Sequence, residues 1–230
     1  MIRMDPEALW LDADRPRLGR PPAHSRAQIT EAAVAVADAA GPTGATAVTM
    51  RKVAAHIGAG VMSLYTYVPD RETLLELMID HAVGEYPPPP ATGDWRADMR
   101  ALAGAQRAGM LAHPWLPAAL PARRTLGPNT LRVLEHALVV LAPTGLPAGA
   151  ALEVFSLITG FVASHVGHEL GQRDAAAQAP EAELRYLRRA AEAGGLTALS
   201  TLLEADPTPP PPPDTTFDRL LTRLLDGLVS

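Results

Sequence analysis

The chain has 230 residues and a net charge of −5, and its hydrophobic fraction of 47% and charged fraction of 20% are typical of a globular protein rather than a disordered one. It contains no cysteine, which excludes disulfides, thiol nucleophiles and thiolate metal sites. The acidic first residues argue against a secretory signal, and no segment reaches the roughly 18 apolar residues of a membrane span. We therefore expect a cytoplasmic protein with no membrane segment.

Charge is distributed unevenly along the chain. Residues 1–14 have a net charge of −3, residues 15–68 a net charge of +4, and residues 69–230 a net charge of −6. A basic segment joined to an acidic remainder is the pattern expected when a small phosphate-binding module is attached to a part that does not bind phosphate.

The N-terminal third predicts an arm and a small helical domain. Residues 1–24 are rich in Pro and Arg and lack apolar periodicity, which predicts a flexible basic arm. Residues 25–86 carry apolar residues at helical spacing, with Ser, Thr or Asp at the helix starts. The predicted helices are 25–40, a helix from Thr49 to a turn at Gly58, 61–67 and a connecting helix 70–83. Pro87–Pro90 form a stiff break and the expected domain boundary.

Beyond that break, residues 91–230 also predict helices. Their expected ranges are 94–112, a short turn after Pro114, 128–141, 147–171, 180–193, 197–205 and 215–229, with a Pro-rich loop at 207–214. No stretch alternates with a period of two for long enough to form a strand, so the fold is predicted to be all-α.

Two of these helices suggest self-association. The helix at 147–171 is apolar on nearly every face, and the helix at 215–229 carries one strong apolar stripe. Two such helices from each subunit would form a four-helix dimer interface. The interface residues we expect are Phe155, Val162, Phe217, Leu221, Leu224 and Leu228. A central core helix in a monomer is the alternative.

Thr49–Val68 has the pattern of a helix-turn-helix. Small or apolar residues such as Ala54 and Leu64 stand where the two helices must cross, and Gly58 stands where the tight turn needs a left-handed residue. The outward residues of the second helix bear hydroxyl or methyl groups, which suit phosphate oxygens and thymine methyls in the major groove of DNA.

The sequence TMRKVAAHIGAGVMSLYTYVPDRETLLELM, residues 49–78, resembles the DNA-binding domain of the tetracycline-repressor (TetR) family of transcriptional regulators. The resemblance implies a homodimer whose two recognition helices read successive major grooves of a palindromic double-stranded DNA operator. The base-facing residues it implies are Arg51, Gly60, Val61, Met62, Ser63 and Thr66. The phosphate-facing residues it implies are Thr49, Tyr65, Tyr67 and Arg71. Gly60 and Val61 depart from the polar residues of the founding repressor, so its operator is not expected here.

The N-terminal arm offers a further DNA contact. Arg17 and Arg20 lie on a Pro-stiffened segment that could enter the minor groove beside the recognition helix. A solvated tail without a DNA contact is the alternative.

The C-terminal part resembles the second domain of the same family, through segments such as Asp94-Trp95-Arg96 and Thr159-Gly160-Phe161. The resemblance implies a helical pocket for a small-molecule effector. The pocket residues we expect are His113, Trp115, Asn129, His136, Phe161, His165 and Glu169. Trp115 and Phe161 could equally be core residues.

His165, His168 and Glu169 lie at positions i, i+3 and i+4 of one helix, so two or three of them could face one way as metal ligands. Nothing else in the sequence supplies a third ligand at a standard spacing, so pocket lining is favoured over a metal site. Most drug contacts of the founding repressor have no equivalent, and neither tetracycline nor magnesium is predicted.

An enzyme is the rival class. The chain has no Gly-x-Ser-x-Gly motif and no phosphate-cradling glycine loop. We predict no catalytic residue, no metal and no cofactor. The sequence thus favours a ligand-responsive homodimeric repressor, with a helical binding protein or enzyme lacking DNA function, or a ligand-independent regulator, as the alternatives.

Overall fold

A computed structural model describes residues 5–11, 24–120, 126–175, 180–204 and 212–229. Thirteen α-helices lie in these ranges, and no strand occurs within them, which confirms the all-α fold. The helices are α1 Pro6–Trp10, α2 Arg26–Asp38, α3 Gly44–Ala47, α4 Met50–His56, α5 Val61–Leu64, α6 Arg71–Glu85, α7 Trp95–Ala112, α8 Leu116–Ala119, α9 Pro128–Leu141, α10 Ala148–Ala175, α11 Pro180–Ala193, α12 Thr197–Glu204 and α13 Pro213–Leu228.

The helix starts follow the capping residues of the sequence. Ser25 forms a capping box with Gln28, in which the Ser25 hydroxyl accepts the Gln28 N–H and the Gln28 amide oxygen accepts the Ser25 N–H. Thr49, Asp70 and Asp94 accept backbone N–H groups in the first turns of α4, α6 and α7. Each cap satisfies a donor that would otherwise lack a partner.

The first residues differ from the predicted flexible arm. Asp5 caps α1, the side chain of Leu9 in α1 is buried, and Arg26 of α2 donates to the Leu9 carbonyl at 2.8 Å. This part of the arm therefore packs against α2 through the apolar side chains of Leu9 and Trp10. Two apolar residues in a five-residue helix are too few to show helical periodicity, so the sequence did not predict this helix.

The recognition helix is shorter than predicted. Regular helix ends at Leu64, and the N–H groups of Thr66 and Tyr67 bond to carbonyls only three residues back, as in a tight 3₁₀-like turn. Pro69 cannot donate a hydrogen bond and so prevents the helix from continuing.

One continuous core joins the two halves of the chain. The connecting helix α6 packs on α2 on one side and on α9 on the other, and its residues from Thr73 to Asp80 are all buried. In the C-terminal half, α10 packs against α7, α8, α9 and α13. The connecting helix α6 therefore contacts both α2 and the C-terminal bundle.

By length and composition, the segment Ala148–Gln172 of α10 could cross a membrane. In the structure, however, Ile158, Val162 and Val166 are completely buried against the bundle, and Glu169 forms an ion pair with Arg107 of α7. A core helix of a helical bundle has this combination of a buried apolar face and internally paired charges.

Candidate DNA-binding surface and ligand cavity

The helix-turn-helix is formed by α4, the turn at Gly58 and α5. Gly58 has φ of +68° and no atom within 4 Å of the position that a Cβ would occupy, so the left-handed backbone itself demands glycine. Val53, Ala54 and Leu64 are buried and hold the two helices together. This arrangement leaves the opposite side of α5 facing solvent.

The residues predicted to contact DNA lie mostly on this exposed side. Met62 is 79% exposed, and Tyr65 is exposed without packing against the core. The other exposed members of the predicted set are Thr49, Arg51, Gly60, Ser63 and Thr66, and the half-buried ones are Val61 and Tyr67. Arg17 and Arg20 lie outside the described residues.

Arg71 does not fit the role of a phosphate contact in this structure. Its guanidinium donates to the backbone carbonyl of Val48 at 3.0 Å and to that of Ala45, and it pairs with Glu72 at 3.3 Å. These bonds connect the start of α6 to the loop that precedes α4. Arg71 thus positions the helix-turn-helix on the connecting helix, because its donors meet backbone acceptors inside the domain.

Two basic residues absent from the predicted set share the exposed side of α4. Lys52 and His56 are both exposed there, with Arg51 beside them. Lys52 is the only lysine in the chain. Its position directly after Arg51 is the sequence signal that could have indicated it as a further basic residue of this surface.

A cavity of about 510 Å³ lies between α6, α7, α8, α9 and α10. Its size is within the range of small-molecule sites, which are typically about 300–1,000 Å³. Its lining residues are Ala82, Val83, Tyr86, Pro88, Leu102, Ala105, Gln106, Gly109, Met110, Leu116, Leu120, Leu126, Thr130, Val133, Leu134, Leu152, Phe155, Ser156, Thr159 and Gly160. Leu126 and Leu152 are about half exposed and mark the side that opens to solvent.

None of the seven predicted pocket residues lines this cavity. Asn129 lies beside it but donates to the Asp80 carbonyl, and His136 faces the carboxylate of Asp98. Burial favours a higher pKa for Asp98, but hydrogen bonds from Thr92 and Gly93 outweigh it and lower the pKa. The aliphatic residues that do line the cavity are typical of any helical core, so no sequence pattern distinguished them.

His113 and Trp115 form a buried junction with the DNA-binding part instead. Trp115 donates through Nε1 to Asp38 of α2 at 2.7 Å, and His113 Nδ1 lies 3.0 Å from the same carboxylate. His113 Nε2 lies 3.3 Å from Glu85 at the end of α6. These two residues therefore fasten the α7–α8 corner to α2 and α6.

Phe161, His165 and Glu169 face α13 and α7 rather than the cavity. His165 packs against the rings of Phe161 and Phe217, which stack on each other, while Glu169 pairs with Arg107 at 2.8 Å. Burial first, and then the charge of Arg107, lower the pKa of His165 below its usual value.

Burial disfavours the charged form of the Arg107 guanidinium and by itself would lower its pKa. Its bonds to Glu169 and Asp214 outweigh that burial and raise its pKa. The cluster connects α7, α10 and α13 within one chain.

Asp80 joins the connecting helix to the start of α9. Its buried carboxylate accepts the N–H of Thr130 at 2.9 Å, the Thr130 hydroxyl at 3.0 Å and the N–H of Asn129 at 3.3 Å. A Cβ at Gly127 would collide with this carboxylate, so glycine permits the approach. Because Thr130 also lines the cavity, a cavity wall is bonded directly to α6.

Most of the predicted interface residues have partners inside the chain. Val162, Phe217 and Leu221 are buried there, and Phe155 lines the cavity. Leu224 and Leu228 are half-buried. The exposed face of α10 lies elsewhere, at Glu153, Leu157, Gly160, Ser164, Gly167 and Gly171.

The sequence is similar to a family model and to known transcriptional regulators. A family model described as tetracyclin repressor-like, C-terminal domain, matches residues 87–230. The HTH-type transcriptional repressor DrrR1 of Streptomyces coeruleorubidus is 33% identical over 96% of this chain and 83% of its own length. An HTH-type transcriptional regulator of Saccharopolyspora erythraea is 30% identical over 71% of this chain and 68% of its own length.

Solved structures show the same similarity. Apo ActR from Streptomyces coelicolor superposes with a TM-score of 0.73 and 25% identity, covering 92% of this chain and 97% of ActR. ActR in complex with actinorhodin gives a TM-score of 0.72 and 26% identity, over 91% of this chain and 97% of ActR. With a helix-turn-helix at its N-terminus and a matching C-terminal domain, the chain belongs to the TetR family of DNA-binding transcriptional regulators.

Proposed function

We propose that this protein is a cytoplasmic homodimeric repressor that leaves a palindromic operator when a small molecule enters the cavity between α6 and α10. The observation that carries the proposal is the position of α6. One end of this helix is bonded to the helix-turn-helix through Arg71, and the other end forms a cavity wall through Ala82 and Val83.

The DNA contact is assigned to the exposed side of α4 and α5. Hydroxyl groups of Tyr65 and Tyr67 can donate to phosphates, while Met62 and Val61 supply apolar contacts for thymine methyls. Arg51 and Lys52 add positive charge, which strengthens binding to the DNA backbone and makes it salt-dependent.

Dimerisation is assigned to the exposed face of α10 together with the outer side of α13. Six of the exposed positions of α10, from Glu153 to Gly171, recur at alternating spacings of four and three residues, the spacing of a helix–helix seam. Leu157 is 54% exposed on this face, and small residues such as Gly160 and Ser164 allow close approach of a partner helix. A second copy would cover this face by two-fold symmetry.

The switch is a population shift between two separations of the recognition helices. Operator binding requires a separation of about one helical turn of DNA, roughly 34–36 Å. A ligand that contacts Thr130 and Val83 displaces α9 and α6 together, because Asp80 bonds the two helices. Release follows only if the ligand binds the displaced arrangement more tightly. ActR, whose complexes with actinorhodin and (S)-DNPA are solved, supports a small-molecule role for such a cavity.

Selection of DNA by the full-length protein tests this function. The protein is incubated with a pool of random duplexes, and bound duplexes are recovered and sequenced over successive rounds. A palindrome with two half-sites one helical turn apart is the expected product. Enrichment of single half-sites would contradict the dimer, and no enrichment at all would contradict sequence-specific DNA binding.

A further inference from the structure

The chemical lining of the cavity restricts the class of ligand it can accept. Among the described residues that form it, none carries a carboxylate, a guanidinium, an ammonium or an imidazole group. Burying an ion without a counter-charge is unfavourable, because the ion loses its hydration and gains no compensating attraction. Most of the lining residues are aliphatic, and Phe155 and Tyr86 are the aromatic ones among those described.

Most polar groups of the lining are already used within the protein. The Thr130 hydroxyl donates to Asp80, and the Ser156 hydroxyl donates to the Leu152 carbonyl. Gln106 differs from them. Its Nε2 donates to the Thr159 hydroxyl at 3.0 Å, but its buried Oε1 has no hydrogen-bond partner.

A buried amide oxygen without a hydrogen-bond partner is destabilising, so a ligand group that donates to it would gain affinity. The last side-chain torsion of glutamine is broad, so the Gln106 amide can turn towards a group placed in the cavity. A hydroxyl both donates and accepts, and it therefore suits Gln106 in either orientation of the amide.

We infer that the cavity takes an uncharged, mainly apolar, ring-containing ligand that bears a hydroxyl group, and that Gln106 selects this hydroxyl. The inference rests on the proposed function in treating this cavity as the effector site. The cavity volume of about 510 Å³ accommodates several fused rings. Anions and metal chelates are disfavoured because none of the described lining residues carries a group that would balance their charge.

Three matched probes test the inference: naphthalene, 2-naphthol and 2-naphthoate, each titrated calorimetrically into the full-length protein at pH 7 without DNA. The wild type is expected to bind 2-naphthol about five- to tenfold more tightly than naphthalene, because one hydrogen bond contributes about 1 kcal/mol. It is expected to bind 2-naphthoate at least about tenfold more weakly than 2-naphthol, because the carboxylate meets no counter-charge among the described lining residues.

Gln106→Leu should abolish the preference for 2-naphthol, so that the ratio of its dissociation constant to that of naphthalene approaches one. Leu134→Met is the control, because it changes another lining residue but leaves the Gln106 amide in place. This variant should keep the preference for 2-naphthol over naphthalene. Gln106→Met, unbranched like glutamine, serves in its place if the leucine variant does not give the wild-type circular dichroism spectrum.

Equal binding of naphthalene and 2-naphthol by the wild type, a preference for 2-naphthoate, or no binding of any probe would overturn the inference. A preference retained in both Gln106 variants would overturn the role of Gln106. Because these titrations contain no DNA, a protein that selects 2-naphthol but enriches no duplex would contradict the proposed repressor and leave the ligand class standing.

Discussion

Asp80 of the connecting helix accepts both the backbone N–H and the hydroxyl of Thr130, at 2.9 and 3.0 Å, and so caps a helix that is distant in sequence. The N-cap position of α9 is Gly127, which has no side chain to offer. The positive end of α9 therefore meets a carboxylate carried by α6. The bond between Asp80 and Thr130 therefore joins the connecting helix α6 to a wall of the cavity.

Asp80→Ala should lower the free energy of unfolding by about 3 kcal/mol, because several buried donors lose their acceptor. Urea denaturation followed by circular dichroism measures the change. Asp226→Ala is the matched control, since its carboxylate is 55% exposed and pairs with exposed Arg96. We expect a loss of at most about 0.5 kcal/mol there. Similar losses in the two variants would show that Asp80 is not an essential cap.

Tyr65→Phe and Tyr67→Phe should each weaken binding to the selected palindrome about tenfold, because each removes one phosphate-bonding hydroxyl. Fluorescence anisotropy at physiological salt measures the affinity. Thermal unfolding should be unchanged, since no hydrogen bond from either hydroxyl is seen among the described residues. Tyr186→Phe removes a hydroxyl from an exposed tyrosine of α11 and should leave affinity unaltered. Unchanged affinity in both helix-turn-helix variants would refute their assigned roles.

Gly58→Ala should destabilise the protein by about 1 kcal/mol, because alanine disfavours a φ of +68° even where space is available. Gly104→Ala makes the same chemical change at an exposed position inside α7, also with free space around it. There the variant should be more stable by about 0.5–1 kcal/mol. Opposite signs in thermal melts support the left-handed turn, and a neutral Gly58→Ala would contradict it.

Ser164→Arg should yield a folded monomer, because Ser164 is exposed in the single chain and lies on the proposed seam of α10. Sedimentation velocity with circular dichroism measures mass and folding together. Glu135→Arg, on the exposed side of α9, should remain dimeric. Leu221→Arg is unsuitable for this purpose, because Leu221 is completely buried within its own chain and the variant would unfold. A dimeric Ser164→Arg protein would place the interface elsewhere.

Local patterns predicted the helices well. Ser25, Thr49, Asp70 and Asp94 mark helix starts because capping depends on residues only two or three positions away. The helix-turn-helix was predictable for the same reason, since α4 and α5 are neighbours in sequence. The bonds of Arg71 to the backbone of Ala45 and Val48 were not predictable, because these residues lie more than 20 positions earlier.

The cavity could not be predicted from local patterns. Its walls come from five helices, and polar residues such as His113 and Glu169, which seemed suited to ligand binding, are occupied by partners distant in sequence. The predicted interface residues stay a prediction. The apolar stripe of α13 requires burial, and Phe217 and Leu221 are buried within the chain, which local patterns could not distinguish from burial against a partner.

The distance between the two recognition helices tests the proposed dimer most directly. Because the chain has no cysteine, Ser63→Cys provides a single site per subunit for a spin label. Pulsed electron paramagnetic resonance on the free protein should give one main distance near one helical turn of DNA, roughly 34–36 Å. The absence of a dipolar signal, or a main distance beyond about 50 Å, would contradict a dimer arranged to read successive major grooves.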